Sequence, residues 1–369
     1  MKNITYIISR IDKSVAFEWI ATHLDRSKFN LSFILLNDKG SELELFLIAQ
    51  KIPVHRVKYS GKKDALKALI TIRKILIKER SHVVHAHLFD ATIIGLCAAR
   101  FRRIKKRIYT RHHSTFHHEY HPRMIKYDRL CNFLATDIVA VSQNVLEILK
   151  EKENVTPSKI HLIHHGFDIN AFGEISEERV QLLREKYNRG KNAPVIGVIS
   201  RYTEWKGIQF IIPAFIELLK KYPKALLLIA NANGDYKKEI RALLENVPKN
   251  NFIEITFEKD IFALYKLMDI YVHVPMNSAI EAFGQTYVES LASSIPSIFT
   301  LSGIAREFIL DRQNALVVNF KDADSIYSGL IELLTSAHLK DRLILNGKKD
   351  VNKLFYLDKM ISSLTKLYE

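Results

Sequence analysis

Ile270-Tyr271-Val272-His273-Val274 and, a few residues on, Glu281-Ala282-Phe283-Gly284-Gln285-Thr286-Tyr287-Val288-Glu289 form the stretch that decides the fold. The first run is largely apolar, as a strand buried on both faces requires. Beyond the second, Tyr287, Val288, Leu291 and Ala292 recur at helical spacing. A strand therefore runs through a loop into a helix. Glu281 lies in the loop and Glu289 about one turn into the helix. Phe283 and Gly284 stand between them, beside the N–H groups that a helix start leaves unsatisfied. This is an anion site flanked by two carboxylates suited to accept from sugar hydroxyls. Glu in a first helical turn is also what the dipole favours, so the pair gains weight only from its neighbours.

The same kind of run recurs along the chain. Strands are expected at residues 4–9, 31–36, 54–57, 82–85, 107–110, 137–141 and 160–163, then at 195–200, 225–230, 252–256, 270–274, 297–300 and 315–318. Amphipathic helical patterns separate nearly all of them. That alternation gives an α/β protein with parallel sheets covered on both faces. Two such sets imply two doubly wound, Rossmann-like domains facing a crevice, with ligands beyond the carboxyl ends of the strands. The expected division is residues 1–172, residues 173–353, and a last helix at residues 354–369 that crosses back to the first domain in relatives of this architecture.

Upstream of the two glutamates, Ser200-Arg201-Tyr202-Thr203-Glu204-Trp205-Lys206-Gly207 follows another buried run. It sets two cations, Arg201 and Lys206, five apart in a strand-to-helix loop. The Arg201/Lys206 pair followed by Glu281-x7-Glu289 resembles the signature of the retaining family 4 glycosyltransferases, which have the two-domain GT-B fold. Gly166-Phe167-Asp168 with Phe172 is similar to that family's interdomain turn. Residues 301–308, with Gly303 and Glu307, are similar to its segment after the next strand, although Glu307 also reads as a helix-start carboxylate.

The resemblance implies a retaining transfer of a hexosyl group from a nucleotide-diphosphate sugar, such as a UDP-sugar, to a glycan or lipid-linked acceptor. It places the reaction in cell-envelope or polysaccharide synthesis. It implies catalytic roles for Arg201, Lys206, Glu281 and His112. Donor contacts fall to Glu289, Ala282, Phe283, Gly284, Gln285 and Thr286, with Glu289 on the ribose hydroxyls and Glu281 on the donor sugar. A leaving diphosphate gains negative charge, which cations and N–H dipoles stabilise. Arg201 and Lys206 are read in place of a metal and an Asp-x-Asp pair, so no metal and no cofactor is expected. Rival readings are another GT-B enzyme, such as a nucleotide-sugar epimerase or a phosphorylase, or a basic nucleic-acid-binding protein.

Eight of the fifteen histidines fall between His82 and His121. His85-Ala86-His87 ends one expected strand and His112-His113 the next. The segment Thr110-Arg111-His112-His113-Ser114 resembles the family segment whose histidine touches the donor sugar. His112 is the best match, His113 its rival, and His87 an acceptor-side contact. His117-His118-Glu119-Tyr120-His121 lacks the His-Glu-x-x-His order of a zinc helix and runs into Pro122, so zinc is rejected. The family's Gly-rich loop after the first strand is replaced here by Ser9-Arg10-Ile11-Asp12-Lys13-Ser14. Arg10, Lys13 or Ser14 is then expected to make those contacts by side chain. Asn231-Ala232-Asn233-Gly234 is a second departure, since relatives carry a glycine nearer the strand end.

Charge is unevenly placed. Residues 1–172 hold 29 Lys and Arg against 16 Asp and Glu, a net of +13 within the chain's +15. One domain therefore suits a polyanionic partner. No aromatic-interleaved basic motif favours nucleic acid. An anionic membrane surface fits better, because six basic residues lie between Arg100 and Arg107. The expected helix at residues 63–80 adds an apolar arc edged by Lys67, Lys74 and Lys78. Ala65, Ala68, Leu69, Ile72, Ile75 and Leu76 form its core stripe, and Leu66, Ile70 and Ile77 a flank that is either core or lipid-facing. Cys97 and Cys131 match no metal or redox spacing and read as buried small hydrophobes. No signal peptide or transmembrane run is read, so the expected location is cytoplasmic, peripheral on the inner face of the cell membrane.

Overall fold

In the computed structural model, which describes residues 1–369, the apolar runs become two parallel sheets. The first contains β1 (Lys2–Ser9), β2 (Phe29–Leu36), β3 (Val54–Val57), β4 (Val83–His87), β5 (Lys106–Arg111), β6 (Asp137–Ala140) and β7 (Ile160–Leu162). The second contains β8 (Val195–Ile199), β9 (Leu226–Ala230), β10 (Phe252–Ile255), β11 (Ile270–His273), β12 (Ser297–Phe299) and β13 (Leu316–Val317). Their orders are β3-β2-β1-β4-β5-β6-β7 and β10-β9-β8-β11-β12-β13. Every pairing is parallel. Strand order reverses between β1 and β4 and again between β8 and β11. These switch points are where a doubly wound sheet takes its ligands.

The chain packs as two units, Met1–Phe167 with Leu357–Glu369, and Asp168–Tyr356. The division falls before residue 172 because Phe172 belongs to the second core. Its ring meets Phe262 edge-on at 4.8 Å and Tyr265 at 6.5 Å. The end of the chain is split between the units. The helix Ala337–Leu354 stays with the second, and Leu357–Tyr368 joins the first.

In the first unit the helices Ala65–Lys78 and Phe89–Phe101 cover one face of the sheet. Val15–His23, Glu42–Ala49 and Leu357–Tyr368 cover the other. The last helix is held by Leu357, Met360, Ile361, Leu364 and Leu367, packed among Tyr6, Phe17 and Phe33. Each such side chain contributes about 1.5–3 kcal/mol on full burial. Tyr368 is fully buried, its hydroxyl bonded to that of Tyr6 and 2.7 Å from His85 Nδ1. Cys131 is buried as expected, whereas Cys97 is only half-buried.

In the second unit, Ile208, Ile211, Ile212, Phe215 and Leu218 form the buried stripe of the helix Ile208–Lys221. They pack on Ile196 and Val198 of β8 and Leu227 and Ile229 of β9. Ser176 and Ser336 start helices by accepting the backbone N–H three residues on. No helix is long and apolar enough to cross a membrane.

Candidate active site

The loops after β8 and β11 leave neighbouring strands at the switch point of the second unit, and they are clamped together. Gly207 has φ +76, and a Cβ there would sit 1.9 Å from the Val274 carbonyl oxygen. Only glycine permits that approach. The Met276 N–H donates to the Trp205 carbonyl at 3.0 Å. The clamp delivers Lys206 to Glu281. Its ammonium donates to Glu281 Oε1 and lies 4.4 Å from the centre of the Trp205 ring. His273, the last residue of β11, brings Nε2 to 3.0 Å from the same oxygen. Glu281 is 7 % exposed and His273 1 %. Burial pushes the Glu281 carboxyl up, but Lys206 and His273 outweigh it and hold it at about 2. Burial, with Lys206 nearby, pushes His273 down. The imidazole is therefore neutral, donates through Nε2–H, and keeps Nδ1 buried without a hydrogen-bond partner.

Lys206 and Glu281 thus meet directly, which their sequence positions did not reveal. Arg201 stands exposed at the start of the same loop. Gly284, at φ +82, turns the chain into the helix Gln285–Ala292. Glu289 lies on that helix with the Tyr265 hydroxyl 2.8 Å from Oε2. Its carboxyl keeps part of its surface open, yet burial raises it to about 7. Phe283 packs edge-on against Phe355 at 5.8 Å and pins the loop through its side chain. Ala282 is buried, Thr286 half-buried and Gln285 exposed. His273 and Tyr265 were missed by sequence reasoning. Both lie in apolar patterns, where a polar group reads as filler.

In the first unit, His87 and His112 come together, Nδ1 to Nε2, at 3.1 Å. The His112 ring stacks on His165 at 5.8 Å, and His87 stacks on Tyr6 at 5.4 Å. Burial holds His112 at about 4 and His87 well below its ordinary range, so the pair is neutral. His87 Nε2 is buried with no hydrogen-bond partner. His113 does not join them. Its Nε2 lies 3.1 Å from Asp128, which also takes His117 Nδ1 at 2.7 Å and Arg111 at 3.0 Å. Strand alternation explains the split, since Arg111 and His113 point one way and His112 the other. His113 is thus held in an ion cluster, which Arg111 extends to Glu153.

The Gly-free loop is fastened by its own charges. Arg10 takes the left-handed conformation, φ 51, that a glycine would otherwise supply. Its guanidinium lies 3.2 Å from Asp90 and 5.8 Å from the Tyr59 ring centre. Lys13 faces Glu42 at 3.9 Å, and the Ser14 carbonyl accepts from Phe17 and Glu18. Asn231 likewise takes φ 60 at the second departure.

The donor atoms of His113, His117 and Asp128 lie within 4.8 Å of one another, a grouping the weighed His117–His121 motif did not contain. Arg111 already holds the same Asp128 oxygen, so the cluster reads as an ion network. An Asp-x-Asp triplet, Asp322-Ala323-Asp324, does occur in the chain, contrary to the sequence reading. Asp322 caps the helix Ala323–Thr335 by accepting from Ser325 N–H at 2.9 Å and takes Asn319 on its other oxygen. That role is structural.

Two family models match consecutive parts of the chain, Glycosyltransferase Family 4 over residues 18–171 and Glycosyl transferases group 1 over residues 180–350. The chain belongs to this family of group 1, family 4 glycosyltransferases and has the GT-B fold. The capsular polysaccharide biosynthesis glycosyltransferase CapM of Staphylococcus aureus is 26 % identical over 355 residues, covering 92 % of this chain and 90 % of that one. The alpha-monoglucosyldiacylglycerol synthase of Acholeplasma laidlawii is 24 % identical over 266 residues, covering 66 % and 64 %. Among solved structures, HepE of Anabaena in complex with UDP and glucose superposes with a TM-score of 0.85 at 18 % identity, covering 100 % of this chain and 99 % of that one. The protein is a glycosyltransferase.

Proposed function

We propose that this glycosyltransferase moves a hexosyl group from a nucleotide-diphosphate sugar to a glycan or lipid-linked acceptor, with retention of configuration and without a metal. The observation that carries the reading is the clamp at the second switch point. It brings Lys206 onto Glu281 beside a glycine-led helix start, with Arg201 exposed in the same loop. In this reading the diphosphate leaves from the front face, its growing charge met by Arg201, Lys206 and the helix N–H groups. The acceptor oxygen attacks from that same face and passes its proton to the departing phosphate oxygen. Glu289 accepts from the ribose hydroxyls, and Glu281, fixed by Lys206 and His273, aligns the sugar. The resemblance also gives His112 a role in the reaction, and His87 fixes its ring.

The relatives support an acceptor in polysaccharide or glycolipid synthesis, since one is named for capsular polysaccharide and another for diacylglycerol. A lipid-linked acceptor places the enzyme at the cytoplasmic face of the membrane. A panel of nucleotide sugars tested by thermal shift identifies the donor, because a ligand at a hundred times its Kd adds about 2.7 kcal/mol. Transfer is then measured with and without EDTA. Unchanged rates support the metal-free reading. A collapse in EDTA restored by manganese, or conversion of the donor with no acceptor, refutes it.

A further inference from the structure

The excess positive charge of the first unit gathers where three helices end. Each crossover helix returns to the edge of the sheet where the next strand begins. The final turns of Ala65–Lys78, Phe89–Phe101 and Ile125–Leu134 therefore collect along the edge formed by the starts of β4, β5 and β6. The middle helix packs against both others. Large apolar side chains project into solvent there: Phe133 is 76 % exposed, Phe101 65 %, Ile77 49 % and Leu130 39 %. The flank of the first helix is exposed too, with Leu66 at 71 % and Ile70 at 48 %, while Ala68, Ile72 and Leu76 of the same helix are buried. The arc left open by the sequence is thus not core.

Cations surround these side chains. Lys74, Lys78, Arg100, Arg102, Arg103 and Arg129 are all exposed. The nearby carboxylates are engaged elsewhere. Glu79 is held by His55 at 2.8 Å, Asp137 by His161 at 2.9 Å, and Asp128 lies in its buried cluster. A single exposed apolar residue is ordinary, but several beside a concentrated positive field mark a binding face.

We infer that this helix-end surface docks on an anionic lipid bilayer, with Phe101, Phe133, Leu130 and Ile77 entering the interface and the surrounding cations meeting lipid phosphates. Nucleic acid would reward the cations but not the exposed aliphatic side chains. A second copy of the chain would bring like charges together. Wide apolar faces rimmed by Lys and Arg are what an interface-lying surface requires. The inference rests on the proposed function only for its setting at the inner leaflet, and its test does not involve catalysis.

The experiment is co-sedimentation with vesicles of phosphatidylcholine alone, and of phosphatidylcholine with about one-third phosphatidylglycerol. Binding should require the anionic lipid and weaken as salt rises. The double variant Phe101→Ser/Phe133→Ser, which keeps every charge, should lose about tenfold in binding while retaining donor binding and melting temperature. Arg100→Glu/Arg102→Glu/Arg103→Glu should lose at least about as much. The control Lys238→Glu/Lys348→Glu/Lys349→Glu changes net charge equally on the second unit and should bind as wild type. Equal recovery on both vesicles, equal losses in patch and control variants, or retention of nucleic acid without vesicle binding would each overturn the assignment.

Discussion

Replacing Glu289 with glutamine should stabilise the protein at alkaline pH while weakening its hold on the donor. The carboxyl titrates near 7 when folded, against 4.5 ordinarily, because the fold encloses it. A carboxyl raised in this way binds its proton more tightly folded than unfolded. Its contribution to stability is whole below pH 4.5 and is lost as pH rises to about 7. The full difference corresponds to at most about 3 kcal/mol. The open edge of the side chain and solvent screening reduce this to about 1–2 kcal/mol. Glutamine mimics the protonated form and still accepts from the Tyr265 hydroxyl, 2.8 Å away in the native site. The variant should melt with wild type at pH 4 and roughly 2–8 °C above it at pH 8. Calorimetry with the donor should show affinity down roughly ten- to a hundredfold, the cost of a lost charged acceptor for sugar hydroxyls. Melting curves across pH, paired with that titration, provide the assay. A melting difference that does not vary with pH would refute the enclosure of Glu289, and donor affinity within twofold of wild type would refute its ribose role.

Arg201→Ala should lower turnover by on the order of a hundredfold with melting unchanged, because the side chain is exposed. Lys206→Ala should cost turnover similarly and also lower the melting temperature, because it takes the ammonium from the buried Glu281 and leaves the neutral His273 as its side-chain donor; steady-state kinetics with calorimetry separates the two. His273→Phe removes a donor that helps hold Glu281 at about 2, so the acid limb of the pH–rate profile should move upward and kcat fall more than donor KM rises. His273→Gln, which keeps an N–H donor, should restore part of both, whereas equal kinetics in the two variants would make His273 merely structural. Gly207→Ala should fail to fold or melt far below wild type, since its Cβ would meet the Val274 carbonyl at 1.9 Å; normal melting would show that the two site loops are not clamped.

The strands were legible because parallel strands buried on both faces read as unbroken apolar runs, and each expected run became a strand shifted by two residues or fewer at its ends. Glu281, Glu289, Arg201 and Lys206 were legible as charged residues in strand-to-helix loops. Their partners were not. His273 sits in a strand whose other residues are apolar, and its contact with Glu281 depends on how the β11 loop folds back. Tyr265 comes from a helix more than twenty residues before Glu289. The role of Arg10 was hidden because a left-handed φ is expected of glycine, not of arginine. Asp322 shows the converse, a metal-like spacing spent on a helix cap. Leu66, Ile70 and Ile77 could not be assigned from periodicity, since a wide apolar arc does not say how much of it the neighbouring helix covers.

The central claim is retaining sugar transfer from a nucleotide donor at the Lys206–Glu281 site. The most direct measurement is proton NMR of the first product formed from a gluco-configured α-linked UDP-sugar, read at the anomeric position before any mutarotation. Wild type should give the small coupling of an α-glycoside, and Lys206→Ala no product signal on the same timescale. A large diaxial coupling, marking an inverted β-product, would contradict it.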